Sequence, residues 1–286
     1  MFQRPGGAGI PRGVADYAGR VTSLISCTVR DGIADVRLDR PEKYNGLTFE
    51  MLRELTATAH RLRGDRTLRA VVISGNGDAF CAGLDFASVS KKPWQMPVGM
   101  LPVPWRGTNT FQEACWAWRR VPVPVIAAVH GHCYGGGIQI ALAADFRFTT
   151  SDAKWSVMEG KWGLVPDMSG VRSLSQLVGV ETAKRLTMTA EVLSGQQAHD
   201  LGLAGWVTDQ PLDDAFAFAR ELATKSPDQL AAAKRLFDRH HASSARRTFA
   251  AERREQVKLL LGRNHKIART AGMKRETPQY VDRGAR

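Results

Sequence analysis

Three consecutive glycines, Gly135, Gly136 and Gly137, separate two apolar runs of the chain, 123–130 and 138–144. The first run is typical of a buried strand and the second of a helix. Because glycine has no Cβ, a ligand oxygen can approach the backbone N–H groups of such a turn. The first N–H groups of a helix have no partner within it, and the helix dipole adds partial positive charge there. The turn could therefore bind a negatively charged oxygen.

A second junction of the same kind lies earlier in the chain. The apolar stretch 70–74 predicts a strand, and the segment 79–86 that follows it contains Gly83. Two N–H groups from two such turns could hold one carbonyl oxygen and stabilise it as it becomes an oxyanion. A lone run of glycines is weak evidence, whereas two junctions that each follow a strand favour chemistry on a carbonyl compound.

The elements that must position these turns alternate between strand and helix. The predicted elements cover residues 23–29, 33–38, 48–63, 70–74, 109–119, 123–130 and 136–143. The first two are strands joined by a turn at Asp31 and Gly32, a pair typical of a hairpin. Thr48 is the predicted N-cap of the helix that follows. The alternation predicts an α/β protein with a largely parallel sheet.

Two regions depart from this alternation. Residues 88–107 hold four prolines among tryptophan and methionine, which is too many for a helix and is typical of a functional or mobile loop. From residue 194 the pattern predicts helices over 213–225, 227–240, 243–261 and on to 271, with a frayed tail from 276. The predicted divisions are a disordered extension at 1–20, an α/β core at 21–193, a helical region at 194–275 and a tail at 276–286.

Six segments of the chain, taken together, resemble the crotonase (enoyl-CoA hydratase/isomerase) superfamily. They are LDRPEKYNGL at 38–47, FCAGLDF at 80–86, PVIAAVHGHCYGGG at 124–137, ADFR at 144–147, EGKWGLVP at 159–166 and AHDLGL at 198–203. The resemblance covers residues 24–270. It implies a crotonase (ClpP-like) fold, with a spiral core of ββα repeats and a C-terminal helical region for trimerisation. It also implies a homotrimer, or a hexamer built as a dimer of trimers.

The activity that this resemblance implies is enolate chemistry on an acyl-CoA thioester. Matching the family's motifs places the oxyanion-hole N–H groups at Leu84 and Gly136, and a catalytic glutamate at Glu159. In a largely apolar pocket, that glutamate should have a raised pKa, which suits a general acid/base. The hydratases of the family hold water between two glutamates, and the second position is Gln139 here. An amide can orient a water but cannot carry its proton.

Asp167 matches an aspartate of the family members that move double bonds in dienoyl-CoA. An equally good interpretation is that Asp167, after Pro166, is the N-cap of a helix over 168–177. Simple enoyl-CoA isomerases of the family need only the carboxylate at Glu159. We therefore favour double-bond isomerisation of an enoyl- or dienoyl-CoA, with hydration of a 2-enoyl-CoA as the alternative. An RNA-binding relative and a scaffold with degraded catalysis are weaker hypotheses.

Coenzyme A is part of the substrate in this family, so no separate cofactor is expected. The resemblance places its binding residues in the two segments around Leu47 and Leu84 and at the glycine turn: Lys43, Asn45, Leu47, Ala82, Gly83, Asp85, Phe86 and Gly135. Lys274 or Arg275 is a weaker candidate for the ribose phosphate. The resemblance also assigns the loop 88–107 to the acyl pocket.

Composition limits the possible partners. The formal net charge is +12, and basic residues accumulate from Lys234 onwards. A nucleic acid, a polyanionic ligand such as coenzyme A, and a solvated helical face are the possible interpretations. The last fits most of these residues, and nucleic acid is disfavoured because aromatic residues are not interleaved with the charges.

The remaining composition points to an enzyme of the cytoplasm. No apolar run is long enough to span a bilayer, and residues 1–20 lack the apolar centre of a secretory signal, although their arginines weakly resemble a transit peptide. The four cysteines have no metal-ligand spacing. They predict a reduced protein without a metal site or a disulfide framework.

Overall fold

The structure is a computed structural model that describes residues 15–16 and 23–285. The predicted disordered extension at 1–20 therefore lies outside the described residues, apart from strand β1, Ala15–Asp16, which pairs with the next strand. None of the helices in the described part of the chain combines the length and apolar character that a bilayer crossing requires.

The main sheet has seven strands in the order β1-β2-β3-β4-β5-β7-β10. After β1 they are β2 Ile25–Arg30, β3 Ile33–Leu38, β4 Ala70–Gly75, β5 Val125–Val129, β7 Phe146–Thr149 and β10 Trp206–Val207. Strand β2 is antiparallel to both of its neighbours, β1 and β3, and β3, β4, β5, β7 and β10 run parallel. The largely parallel sheet predicted from the alternation is confirmed.

Helices cover both faces of the sheet, which explains why β4 and β5 are continuous apolar runs. Helices α1, Phe49–Gly64, and α4, Thr110–Arg119, pack against each other over one face. On the other face, Ala215 and Ala219 of helix α8, Pro211–Ala223, pack against Ile126 and Phe148. The helices of the first half are α1 Phe49–Gly64, α2 Phe86–Val89, α3 Gln95–Met100, α4 Thr110–Arg119 and α5 Gly136–Ala143. Thr48 caps α1 as predicted, because its side chain accepts a hydrogen bond from the N–H of Met51.

A small second sheet lies beside the glycine turn. It contains β6 His132–Tyr134, β8 Lys154–Ser156 and β9 Leu193–Ser194, in that order. The remaining helices are α6 Gly170–Thr189, α7 Gly195–Asp200, α8 Pro211–Ala223, α9 Pro227–His240, α10 Ala245–Leu260 and α11 Arg263–Lys274. The C-terminal region is helical as predicted. The division at 193 remains a prediction, since β9 spans it.

Two local predictions are wrong. The loop 88–107 contains α3, in which Pro97 occupies the first turn, where a missing N–H breaks no helical hydrogen bond. The tail is also held in place rather than frayed. Asn264 forms two hydrogen bonds with the backbone of Val281, of 3.0 and 3.2 Å, and Arg69 forms a 2.9 Å salt bridge with Asp282. Residues 281 and 282 are therefore held against α11 and the residue that precedes β4.

Candidate active site

Two chain segments meet where β4 and β5 end. Cys81 pairs with the segment after β5, with a 2.8 Å hydrogen bond from its N–H to His132 and a 3.0 Å bond from the N–H of Tyr134 to its carbonyl. On its other side, the segment 79–86 that contains Cys81 pairs with Leu47, whose N–H donates a 2.7 Å hydrogen bond to the carbonyl of Gly83. The two junctions identified in the sequence are therefore adjacent in space.

The N–H groups of Leu84 and Gly136 are free to bind a ligand. The carbonyl of Gly83 accepts a hydrogen bond from the N–H of Leu47, and the N–H of Asp85 donates one to the carbonyl of Leu47. The N–H of Leu84, between them, therefore points away from Leu47, because alternate backbone groups of a strand face opposite sides. Gly136 is the first residue of α5, where an N–H has no helical partner. Among the described residues, neither N–H has a hydrogen-bond acceptor. Two such donors on neighbouring turns can hold one oxyanion.

Glycine is required at Gly83 for this contact to form. Its φ is +89°, and a Cβ at this position would lie 2.9 Å from the carbonyl oxygen of Tyr134. That distance is shorter than real Cβ contacts, so any side chain would push the two turns apart. Gly135, with a φ of +53°, is the corresponding residue of the second turn.

Glu159 lies directly against the second turn. Its side chain extends from a 3-10 helix, Met158–Trp162, and Oε1 would be 3.4 Å from a Cβ built on Gly135. Oε2 is buried and has no hydrogen-bond partner among the described residues. Burial raises the pKa of this carboxyl, partly offset by its own N–H and by Gln139, and the nearby charge of Asp167 raises it further. A carboxyl of this kind can both accept and return a proton.

Gln139 is fully buried in α5, and its orientation is fixed by its partners. Oε1 accepts 2.8 Å hydrogen bonds from the N–H groups of Met168 and Gly170, while Nε2 donates a 2.6 Å bond to Oε1 of Glu159. Because the oxygen is occupied by backbone donors, only the NH₂ group can face Glu159. The side chain positions the glutamate and cannot exchange a proton with it.

Asp167 is not the N-cap that the sequence suggested. Helix α6 begins at Gly170, and its cap residue is Ser169, whose φ is +73°. Asp167 instead lies between two buried residues, and burial raises the pKa of its carboxyl, offset in part by its own N–H. It lines a cavity of about 730 Å³ together with Gln112 and Val171. Glu159 does not line that cavity, although its charge and that of Asp167 interact.

The residues expected to bind coenzyme A divide into two groups. Several already have internal partners. The side chain of Asn45 forms hydrogen bonds with the backbone of Arg40, Asn76 and Ala79. The N–H and the carbonyl of Leu47 both form hydrogen bonds with the segment 83–85. The N–H of Ala82 donates a hydrogen bond to the carbonyl of Tyr44. Asn45, Leu47 and Ala82 therefore hold the turn in position through contacts within the protein. Lys43 and Phe86 are exposed and can contact a ligand.

Asp85 is a cap and an ion-pair partner. Its side chain accepts hydrogen bonds from Ser88 at the start of α2 and forms a 2.7 Å salt bridge with Arg40. Burial opposes ionisation of this carboxyl, but the Ser88 and Arg40 bonds outweigh it and lower its pKa to about 2. Asp85 therefore anchors the segment that carries the Leu84 N–H.

Three residues at this site were missed in the sequence. Arg40 holds Asp85, Met168 lies with Leu47 over Gly136, and the ring of Trp162 lies 5.2 Å from that of Phe86. Their neighbours in the motifs 38–47, 80–86 and 159–166 were recognised, but only the folded chain reveals which side chains touch. All four cysteines are buried and free, and the described residues contain no group of three side chains suited to a metal ion.

Comparison with known proteins agrees with this geometry. A family model described as enoyl-CoA hydratase/isomerase matches residues 28–283. The mitochondrial Δ(3,5)-Δ(2,4)-dienoyl-CoA isomerase of Rattus norvegicus is 32% identical over 226 residues, covering 76% of this chain and 68% of the relative. A probable enoyl-CoA hydratase of Rhodobacter capsulatus is 30% identical over 258 residues, covering 89% and 96%.

A solved structure gives the same result for the fold. The crystal structure of an enoyl-CoA hydratase from Polaromonas sp. JS666 matches with a TM-score of 0.81 at 30% identity, covering 90% of this chain and 99% of that one.

Proposed function

The chain belongs to the enoyl-CoA hydratase/isomerase family, and from this membership we propose that it moves a double bond within an enoyl- or dienoyl-CoA thioester. It is an enzyme of the lyase or isomerase class with the crotonase fold. The finer assignment of reaction and residue roles is argued below from the contacts of the site.

In the proposed reaction, Glu159 removes a proton from the carbon next to the thioester carbonyl. The negative charge moves onto the carbonyl oxygen, which the N–H groups of Leu84 and Gly136 hold as the charge develops. Each such donor contributes about 3–4 kcal/mol to transition-state stabilisation. The proton returns at a carbon further along the conjugated chain, so the product is an isomer and no atom is gained or lost.

Two substrates differ in where that second proton arrives. For a 3-enoyl-CoA, Glu159 can return the proton it removed, and a single carboxyl suffices. For a 3,5-dienoyl-CoA, the receiving carbon lies two bonds further away, and Asp167 is the proposed donor; Glu159 then releases its proton to solvent and Asp167 regains one from solvent before the next turnover. The raised pKa of Asp167 supports that role, because a protonated carboxyl is needed there.

The observation that carries the proposal is the fixed orientation of Gln139. Its oxygen accepts two backbone N–H groups, and its NH₂ group donates to Glu159. Glu159 is thus the only proton-exchanging side chain of this pair. Hydration in the family uses two carboxyls at these positions, whereas the simple enoyl-CoA isomerases of the family need only the one at Glu159, and the dienoyl-CoA isomerases place a further aspartate where this chain has Gln139. Isomerisation is therefore favoured.

Hydration of a 2-enoyl-CoA remains the alternative. The Rhodobacter relative is named as a probable enoyl-CoA hydratase, and the second N–H of Gln139 could hold a water for Glu159 to deprotonate. Assembly as a trimer or hexamer and a cytoplasmic location remain predictions. No separate cofactor is proposed, because coenzyme A is part of the substrate. The alternative outside enzymes is a protein that binds RNA through its basic helices.

The deciding experiment is incubation with 3-enoyl-CoA, 3,5-dienoyl-CoA and 2-enoyl-CoA in deuterium oxide, followed by mass and absorbance. Isomerisation predicts shifted double bonds with deuterium incorporated at carbon. Conversion of 2-enoyl-CoA with a mass gain of one water would instead establish a hydratase. Binding without either change would overturn the proposed chemistry and leave the family assignment intact.

A further inference from the structure

A basic cavity of about 1220 Å³ lies between the core and the C-terminal helices. Its walls come from the ends of α1 and α4, from α9, from the α10–α11 turn and from the tail. Eleven arginine and lysine side chains and three acidic side chains line it, an excess of eight positive charges. We call this the basic cavity.

The basic cavity is separate from the candidate active site. Arg66 and Val121, which line it, precede β4 and β5, whereas Gly83 and Gly135 follow those strands. Strand β5 has five residues, so at 3.3 Å per residue the two places lie roughly 16 Å apart along the sheet. The thioester carbonyl cannot be at both ends.

The charge of the basic cavity is not neutralised by the protein itself. Arg235 and Lys258 pair with Glu255, and Arg120 and Lys234 pair with acids just outside the wall. The other salt bridge of a lining cation is the long one between Arg119 and Asp238, and six cations form none within the described part of the chain: Arg63, Arg66, Arg239, Arg263, Lys266 and Arg283. The C-terminal ends of α1, α4, α9 and α10 add about half a negative charge each, roughly two in all. Several positive charges remain uncompensated.

Arg119 is a buried cation of the cavity wall whose donors are only partly satisfied by the protein. Its side chain is only 10% exposed, its nearest carboxylate oxygen, on Asp238, is 3.8 Å away, and its Nε is buried with no partner among the described residues. Nη1 bonds to Gln176 at 2.8 Å, and the guanidinium lies 5.0 Å from the ring of Trp116. Burial lowers the pKa of this group. A buried N–H donor on a cation normally has an acceptor.

We propose that the basic cavity binds a small anion carrying several phosphate groups. Eight of its eleven cations are arginines, whose planar guanidinium matches phosphate oxygens in pairs. The lining contains no phenylalanine, tyrosine or tryptophan, so it offers no surface on which nucleic-acid bases could stack. Cations on several walls suit a compact ligand that they can surround.

The test is titration of the full-length protein with inorganic tripolyphosphate and pyrophosphate by calorimetry at two salt concentrations. Binding that weakens with salt is expected. Arg63→Glu and Arg263→Glu change exposed residues of the cavity, so folding is preserved, and each should weaken binding about tenfold or more. Arg246→Glu and Arg247→Glu are matched controls, since both are exposed and lie outside the cavity. They should bind as the unchanged protein does.

Four results would overturn the proposal. One is no binding of either anion at low salt. A second is equal weakening by the control variants, which would mean a general effect of net charge. A third is competition between tripolyphosphate and a saturating acyl-CoA, which would mean that the anion occupies the site for the phosphate groups of coenzyme A. Tighter binding of an oligonucleotide with a steeper salt dependence would replace the small anion with a nucleic acid.

Discussion

Nε2 of Gln139 lies 2.6 Å from Oε1 of Glu159, and the oxygen of the same amide accepts the N–H groups of Met168 and Gly170. One buried side chain thus connects Glu159 to the turn that carries Asp167. The bond also stabilises the ionised form of Glu159 against the effect of burial. The amide therefore sets both the position and the proton affinity of the glutamate.

Replacing Gln139 with methionine should shift the pH dependence of the reaction. Its amide lowers the pKa of Glu159, so its loss leaves burial opposed only by the glutamate's own N–H and raises that pKa further. The base must be ionised to remove a proton, and the acidic limb of kcat/KM should therefore move to higher pH. A pH–rate series on a 3-enoyl-CoA measures the shift, and an unmoved limb would contradict it.

Gln139→Glu is the companion variant. Its carboxylate could still accept the N–H groups of Met168 and Gly170, but its second oxygen would face Glu159 and the two would share a proton. We expect isomerisation to fall and addition of water to 2-enoyl-CoA to rise. A variant that isomerises normally would show that the amide has no part in choosing the reaction.

Glu159→Gln should abolish turnover and stabilise the fold at neutral pH. The folded pKa of this carboxyl is raised, so the folded state binds its proton more tightly than the unfolded chain. Stability therefore falls as pH rises from the unfolded pKa, about 4.3, through the folded one. The glutamine removes that loss, and Tm should rise by about 2–4 °C per kcal/mol gained.

The comparison for this variant is Glu113→Gln. Burial disfavours the charge of Glu113, but hydrogen bonds from Thr108 and His60 and the charge of Arg120 outweigh it and lower its pKa. Its substitution should lower Tm at neutral pH and leave catalysis in place. A similar fall in Tm for Glu159→Gln would contradict the prediction, because it would mean that the ionised Glu159 carboxylate stabilises the folded protein at neutral pH.

Asp167→Asn should separate the two isomerase substrates. An asparagine keeps the shape of the turn before α6 but cannot deliver a proton. Turnover of 3,5-dienoyl-CoA should drop by roughly 10²–10⁴-fold, the usual contribution of a general acid, while 3-enoyl-CoA is processed nearly as before. Equal losses on both substrates would indicate a structural role for Asp167.

Gly83→Ala should damage the proposed oxyanion hole without changing the carboxyl groups. The φ of +89° and the 2.9 Å approach of the Tyr134 oxygen leave no room for a methyl group. Displacement of the neighbouring Leu84 N–H should lower kcat by about 10²–10³-fold, as loss of one oxyanion donor does. Gly64→Ala is the control, since no atom lies within 4 Å of its Cβ position and φ is not positive. Its kcat should be unchanged.

The order and type of the main elements followed from the sequence, because the helical periodicity and the buried runs of β4 and β5 are local patterns. The two glycine junctions could also be recognised, since each glycine marks a place where backbone must be approached closely. The resemblance of six segments gave the family. These features depend on residues that are near one another in the chain.

Tertiary contacts decided the rest. Gln139 and Met168 are 29 residues apart, and no local pattern predicts that the amide oxygen would be occupied by backbone N–H groups. Asp167 follows a proline as an N-cap often does, yet Ser169 adopts a left-handed conformation and α6 begins later. The tail has the composition of a frayed end, but Asn264 and Arg69 hold it. The sequence alone determined which groups could do chemistry, and packing between distant segments determined which of them remain free to do it.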